Sequence, residues 1–135
     1  MTLAAAIQRI QVHADLCTGV KFAPDAPPET PGALPAVFAY PTDGRVVTLS
    51  YDTIQSFDTV QVDYLTPRVL VDVAQANCIT FIGEFPKKLA LDPTLNGAVT
   101  TIQELSYTVI DGDWGGTQVR IVRFRVPLKI HGRAS

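Results

Sequence analysis

The sequence predicts an α+β fold, an antiparallel or mixed sheet of about five strands with two helices packed on one face, in the order α-β-β-β-α-β-β. Three observations lead there. Apolar residues recur at helical spacing near the start of the chain and again in its middle. Residues Val122 to Ile130 alternate apolar and polar with a period of two. A glycine-rich turn, Asp111 to Gly116, sits between two strand patterns, and such a hairpin excludes an all-parallel sheet.

Size and composition fit that class. The chain has 135 residues, the size of one domain, read here as 1–135. A domain of this length buries about two-thirds of its unfolded surface and needs no staples. Hydrophobic residues are 47% and charged residues 18%, which describes a folded domain rather than a disordered one. So few charges also suggest that a partner covers some apolar surface. A net charge of -2 gives no electrostatic footprint for nucleic acid or an anionic membrane. No apolar stretch reaches the about 20 residues of a spanning helix. The first residues lack a basic cluster, and Arg9 and Asp15 interrupt the apolar run, so no signal peptide is expected and the chain is assigned to a cytoplasm.

The first helix is expected from Leu3 to Cys17, capped by Thr2 and stopped by Gly19. Leu3, Ile7, Ile10, Ala14 and Cys17 make its apolar face, while Gln8, Arg9, Gln11 and Asp15 point outward. His13 lies between the two faces. Residues 23–35 carry five prolines and are expected to form a stiff extended link, either a surface crossover or an arm lying on a neighbour. Pro27 and Pro28 are its interface candidates.

Three strands should follow: Ala36 to Tyr40, Val46 to Tyr51 and Thr59 to Leu65, with Thr42-Asp43-Gly44 as a turn and Asp52 to Asp58 as a hairpin loop. In the third, Val60, Val62 and Tyr64 face a core, and Gln61 and Asp63 face water. The second helix is predicted to begin at Thr66 as cap with Pro67 in the first position, and to end near Gly83 to Pro86. Its apolar face would hold Leu70, Val73, Ala74, Asn77, Cys78, Phe81 and Phe85, widened by Ile82.

Val99 to Ile110 reads as one long strand, and Thr117 to Ile130 as its return. Val122, Phe124, Val126, Leu128 and Ile130 share one face, and Arg123, Arg125 and Lys129 the other. Val119 and Ile121 have the parity of the arginines, so a bulge near residue 121 is expected. Pro127 marks the strand as an edge, at least locally.

No catalytic residues, cofactor or metal site emerge from the pattern. The two histidines, His13 and His131, belong to no triad pattern. Cys17 and Cys78 fall on helix stripes and read as small buried hydrophobes. Asp111 and Asp113 have no twelve-residue calcium loop around them. Trp114-Gly115-Gly116 lacks the lysine and hydroxyl of a phosphate loop. What stands out is a surface. Asp113, Trp114, Gly115 and Gly116 form a singular turn, with Trp114 either plugging the sheet's end or anchoring an interface. Arg123 and Arg125 make a charged face suited to acidic residues of an adjacent subunit.

The ordered set of these pieces is also familiar. Ala23 to Glu29, Leu34 to Pro41, the Thr66-Pro67-Arg68 entry, Tyr107, Trp114-Gly115-Gly116 and the closing strand Val119 to Ile130 together resemble tail terminator (tail-completion) proteins of long non-contractile bacteriophage tails. The resemblance spans nearly the whole chain, with the stretch after Arg68 aligning loosely. It implies a structural virion protein of the tail and neck. Such proteins form a ring, a hexamer, on the last ring of the tail tube. They stop tube polymerisation and offer a joining surface to the head's connector. DNA passes through the lumen without specific binding. The implied partners are copies of the same chain, the tail tube protein and the connector or stopper protein. Two other readings stand beside it. One is a head-side connector or stopper of the neck. The other is a small-ligand-binding α+β domain or enzyme, which would need a pocket with convergent polar groups.

Overall fold

The computed structural model describes residues 2–21, 23, 33–50 and 53–133, with backbone only at 50, 132 and 133. Helix α1 spans Leu3–Asp15, strands β1 and β2 span Ala36–Ser50 and Thr53–Pro67, and helix α2 spans Val71–Ala90. Strands β3 (Thr101–Ile102), β4 (Ser106–Trp114) and β5 (Thr117–Arg133) follow. All pairings are antiparallel and make one sheet, in the order β1-β2-β5, with β3 and β4 end to end along the far edge of β5. The α+β class is as the sequence predicts. The order is α-β-β-α-β-β-β, since two predicted strands before α2 merge and one predicted strand after it divides.

Helix α1 begins as expected, with the Ala5 amide donating to Thr2 Oγ1 at 3.1 Å. It ends at Asp15, two residues early, and Gly19 takes a φ of +84° just beyond. Ala6, Ile10 and Ala14 are fully buried against the sheet. Gln11, expected in solvent, is buried instead. Its Nε2 donates to the Val37 carbonyl at 2.8 Å, and its Oε1 accepts from the Ala39 amide at 2.7 Å. The side chain thus completes the outer ladder of β1 as a neighbouring strand would.

The first two predicted strands are one. β1 runs from Ala36 to Ser50 through Pro41-Thr42-Asp43-Gly44, and a register shift between Pro41 and Asp43 absorbs one residue. The turn residues do not turn the chain because β2 runs beside them throughout, beginning at Thr53 where a loop was expected. Gly44 is required there. A Cβ would lie 2.6 Å from Asp58 Oδ1 and 3.0 Å from the Phe57 carbonyl oxygen.

The predicted strand 99–110 is two. β3 is only two residues long, and β4 starts after a break at residues 103–105. Pro127 explains the break. β5 is central rather than an edge, yet Pro127 faces that gap, where its carbonyl accepts from the Gln103 amide at 2.9 Å. The local edge that the proline requires is this interruption. The turn between β4 and β5 is shorter than expected, with only Gly115 (φ +60°) and Gly116 (φ +86°) outside the strands. Positive φ at both central positions is the type I′ pattern, which matches the twist of a hairpin.

Helix α2 overrides both of its predicted ends. Thr66 and Pro67 finish β2, opposite Arg120 and Val119, and the helix starts at Val71 without a side-chain cap. Leu70 and Val73 are consequently exposed rather than core. At the other end the helix continues through Pro86 to Ala90. Proline removes one helical bond, but Phe85 and Leu89 on either side are buried and hold the last turn down.

The main core lies between the helices and one face of the sheet. Tyr64 stacks on Phe81 at 4.4 Å, Phe81 lies 5.2 Å from Phe85, and Phe124 meets both phenylalanines edge-on. Cys17 and Cys78 are buried in it, and burial pushes the Cys17 thiol up to about 11. The opposite face carries a smaller cluster of Phe38, Leu65 and Val119, packed by Leu34, Tyr40, Trp114 and Ile121. No bulge is present near residue 121: β5 pairs without a shift on both sides. Val119 and Ile121 are apolar because this second cluster needs them.

Gln11→Leu keeps the volume and removes the amide. It leaves a buried carbonyl and a buried amide unpaired, each costing about 1–3 kcal/mol. Urea unfolding should show a loss of at least about 2 kcal/mol; an unchanged midpoint would mean that β1 finds other partners.

Candidate functional site

Three polar clusters and one hairpin arm hold the residues with functional potential. The first cluster lies on the helix-free face, where the register places Asp63 opposite Arg123. Arg123 Nε donates to Asp63 Oδ1 at 3.0 Å and its Nη2 to Oδ2 at 3.3 Å. The Tyr40 hydroxyl donates to Asp63 Oδ2 at 2.6 Å, and Gln61 Nε2 donates to that hydroxyl. Asp63, expected in water, is buried and fully engaged. Burial, followed by the hydrogen bond to Asp63, pushes the Tyr40 phenol up to about 12. The hydrogen bond to Asp63 likewise raises the Arg123 guanidinium above its ordinary value. Arg123 is therefore committed within the chain. Arg125 reaches Asp43 at 3.5 Å, and both of these side chains are mostly exposed.

The second cluster joins β4 and β5 to Arg68, the residue that follows β2. Asp111 accepts from Arg120 Nε at 2.9 Å and pairs with Arg68 Nη1 at 2.9 Å. Its carboxyl is held below the usual range by the Arg120 hydrogen bond. At the hairpin tip, Asp113 Oδ1 accepts from the Gly116 amide at 2.9 Å and so stabilises the turn. Trp114 is half-buried, its ring 6.1 Å from that of Phe38. The ring packs over the smaller apolar cluster and keeps part of its surface exposed. The turn residues Asp113 to Gly116 are brought together; Arg123 and Arg125 lie farther along β5. Pro27 and Pro28 lie outside the described residues.

The third cluster was not foreseen. Asp92, just after α2, accepts from Arg9 Nε at 2.7 Å and lies 2.8 Å from His13 Nε2, so it ties α1 to the loop following α2. Its other oxygen accepts from the Asn96 amide at 2.9 Å. That bond steadies a left-handed turn at Leu95, Asn96 and Gly97. Only the charges of Arg9 and Asp92 hinted at such a pair, and their separation of 83 residues hid it. Beside α1 runs an open groove of about 690 Å³, lined by Gln8, Arg9, Val12, Asp15 and Asn96 among others. The one cation among the described residues lining it, Arg9, is already paired with Asp92.

The arm is the outer part of the β1–β2 hairpin, backed on its β2 side by residues 127–133 of β5. Between Pro41 and Thr59, no described side chain is buried. Val46 and Leu49 are 64% and 50% exposed. The Arg45 guanidinium stacks over Phe57 at 4.3 Å and stiffens the hairpin across its strands. A second exposed apolar group, Val69, Leu70, Val71 and Val73, flanks the start of α2. Of the arm, the sequence reading gives only Val46 to Tyr51 as a strand, with Thr42 to Gly44 as a turn and Asp52 to Asp58 as a loop.

In comparison with known proteins, no protein-family model matches the chain. No curated protein matches it either.

Asp92 has a depressed carboxyl pKa, caused first by Arg9 and then by His13. Its contribution to stability is therefore complete above its ordinary value of 3.8 and is lost as pH falls below it. Asp92→Asn should be less stable at neutral pH and should lose less further stability below pH 3.8 than the parent, as urea midpoints across that range would record. Trp114→Ala should cost about 2 kcal/mol through lost packing on Phe38. A variant with unchanged stability and impaired assembly would return Trp114 to the interface role.

Proposed function

We propose that this chain is a structural assembly protein, not an enzyme: a subunit of a ring that caps a phage tail tube, stops its polymerisation and presents the surface that joins the head. The observation that carries this reading is the outer end of the β1–β2 hairpin, which lies along β5 as the exposed edge of the sheet and whose Val46 and Leu49 have no partner within the main core. Exposed apolar side chains on a long strand are characteristic of surfaces that bind other proteins. The reading is further supported by the ordered resemblance over residues 23–29, 34–41, 66–68, 107, 114–116 and 119–130.

The mechanism is occupancy. A capping subunit binds the last ring of the tube and does not offer the tube's own surface again, so growth stops. Copies of the chain close into a ring, a hexamer, through head-to-tail contacts. The partners are then the tail tube protein on one side and the connector or stopper protein on the other. DNA crosses the lumen without specific contacts, and no cofactor takes part. The protein acts in the virion, at the tail and neck, after assembly in the host cytoplasm. Rigidity matters here. The helix-backed sheet fixes the direction of the arm, so little entropy is lost when the arm docks.

Particles assembled without this protein should carry overlong tubes without heads, seen as a broadened tail-length distribution by electron microscopy. Tails of normal length beside unattached heads would assign the protein to the connector side of the neck instead.

A further inference from the structure

The direction of each backbone N–H in the sheet can be followed strand by strand. Lys129 and Pro127 of β5 accept from Thr100 and Gln103, so odd-numbered residues of β5 face β3 and β4, and even-numbered ones face β2. Carried through the register, odd residues of β2 face β1. On β1, Val37, Ala39 and Pro41 then face outward, as the Gln11 bonds to Val37 and Ala39 require. After the shift at Thr42, the outward residues are Gly44, Val46 and Thr48.

The inner half of this edge is guarded. Gln11 occupies Val37 and Ala39, and Pro41 has no N–H. The outer half, Gly44 to Thr48, has no strand beyond it among the described residues. β4 forms the other edge. Its two-residue turn makes Trp114 and Thr117 a hydrogen-bonded pair, so Tyr107, Val109 and Asp111 point their backbone groups away from β5. Tyr107 and Val109 are 53% and 44% exposed; Ser106 to Ile110 carry neither proline nor charge, and the charge of Asp111 beyond them is paired with Arg120 and Arg68. Unguarded edges of this kind accept another strand.

We propose that the Tyr107–Asp111 edge of β4 takes the Gly44–Thr48 edge of β1 from a second copy of this chain, as an added antiparallel strand. The contact rests on the ring reading above and supplies its head-to-tail joint. Three features select this occupant. The three outward residues of the β1 edge find three successive outward partners on β4, Tyr107, Val109 and Asp111. β1 and β4 run in opposite directions, so head-to-tail repetition brings them together antiparallel. With Val46 opposite Val109, both side chains fall on the same face and cover each other's exposed surface. The open halves also lie at different levels of the sheet, Val46 beside Ile130 and Val109 beside Val122. Joining them staggers successive copies, and stagger is what tilts strands when a sheet closes on itself.

Proline at either central position removes the outward donor and spares the inward ladder. Sedimentation should show the parent chain assembling on concentration, and V109P and V46P each remaining monomeric. An equal mixture of V109P and V46P should form dimers and nothing larger, because only one competent joint remains between them. V109K and V46K charge the same edges without removing a donor and serve if a proline variant fails to fold; melting checks each. A V46P protein that assembles like the parent, a mixture that stays monomeric, or a parent that stays monomeric when concentrated would each overturn the proposal. The two readings separate cleanly. Monomeric V109P with tails of normal length would keep the joint and remove the capping role. Overlong tails without the protein, together with V109P that assembles normally, would keep the role and remove the joint.

Discussion

The unshifted pairing of β2 with β5, from Thr53 opposite Arg133 to Pro67 opposite Val119, determines most of what surrounds it. In an antiparallel ladder, the parity of a residue sets both the face of its side chain and the direction of its backbone groups. Even residues of β5 are the core residues Val122 to Ile130; odd residues include Val119, Ile121, Arg123 and Arg125 of the helix-free face. A slip of one residue would exchange Phe124 with Arg123 and bury a guanidinium beneath α2. The Asp63–Arg123 bond on one face, and Phe81 stacked on Tyr64 with Phe124 edge-on to it on the other, both hold the register against that slip.

The same parity makes three strand prolines acceptable. Pro41 faces the outer edge of β1. Pro67 faces the side where β1 has already ended, since the first pair of β1 is Ala36 with Leu65. Pro127 faces the gap between β3 and β4. In each case the missing N–H falls where no ladder needs it. Gln11 solves the complementary problem, filling a stretch of edge that is buried and cannot be left to water.

Much of this was legible in the sequence. Period two in Val122 to Ile130, helical spacing in Leu3 to Ala14, and the Gly115-Gly116 turn each reflect a local constraint that tertiary contacts did not override. The misreadings share a cause. Thr42-Asp43-Gly44, Thr66-Pro67 and Pro86 carry strong local stop or start chemistry, and in each case a longer-range partner outweighed it: β2 beside the first, β5 beside the second, the buried Phe85 and Leu89 around the third. Helical spacing points Gln11 to solvent, and strand alternation does the same for Asp63. Their partners, Val37 and Ala39 for one, Tyr40 and Arg123 for the other, are visible only once the strands are registered. The candidate turn at Asp113 to Gly116 follows from its glycines and the single tryptophan, whereas the arm depends on β1, β2 and β5 extending together, which no single segment reveals.

The position of Trp114 has an optical consequence. It is the chain's one tryptophan, and it belongs to the small cluster with Phe38 rather than to the core under the helices. Indole fluorescence is therefore a gauge of the helix-free face, while far-ultraviolet dichroism is weighted toward α1 and α2 on the other side. The two signals view one sheet from opposite sides, and the gap between their transitions measures how tightly β2 and β5 couple its faces.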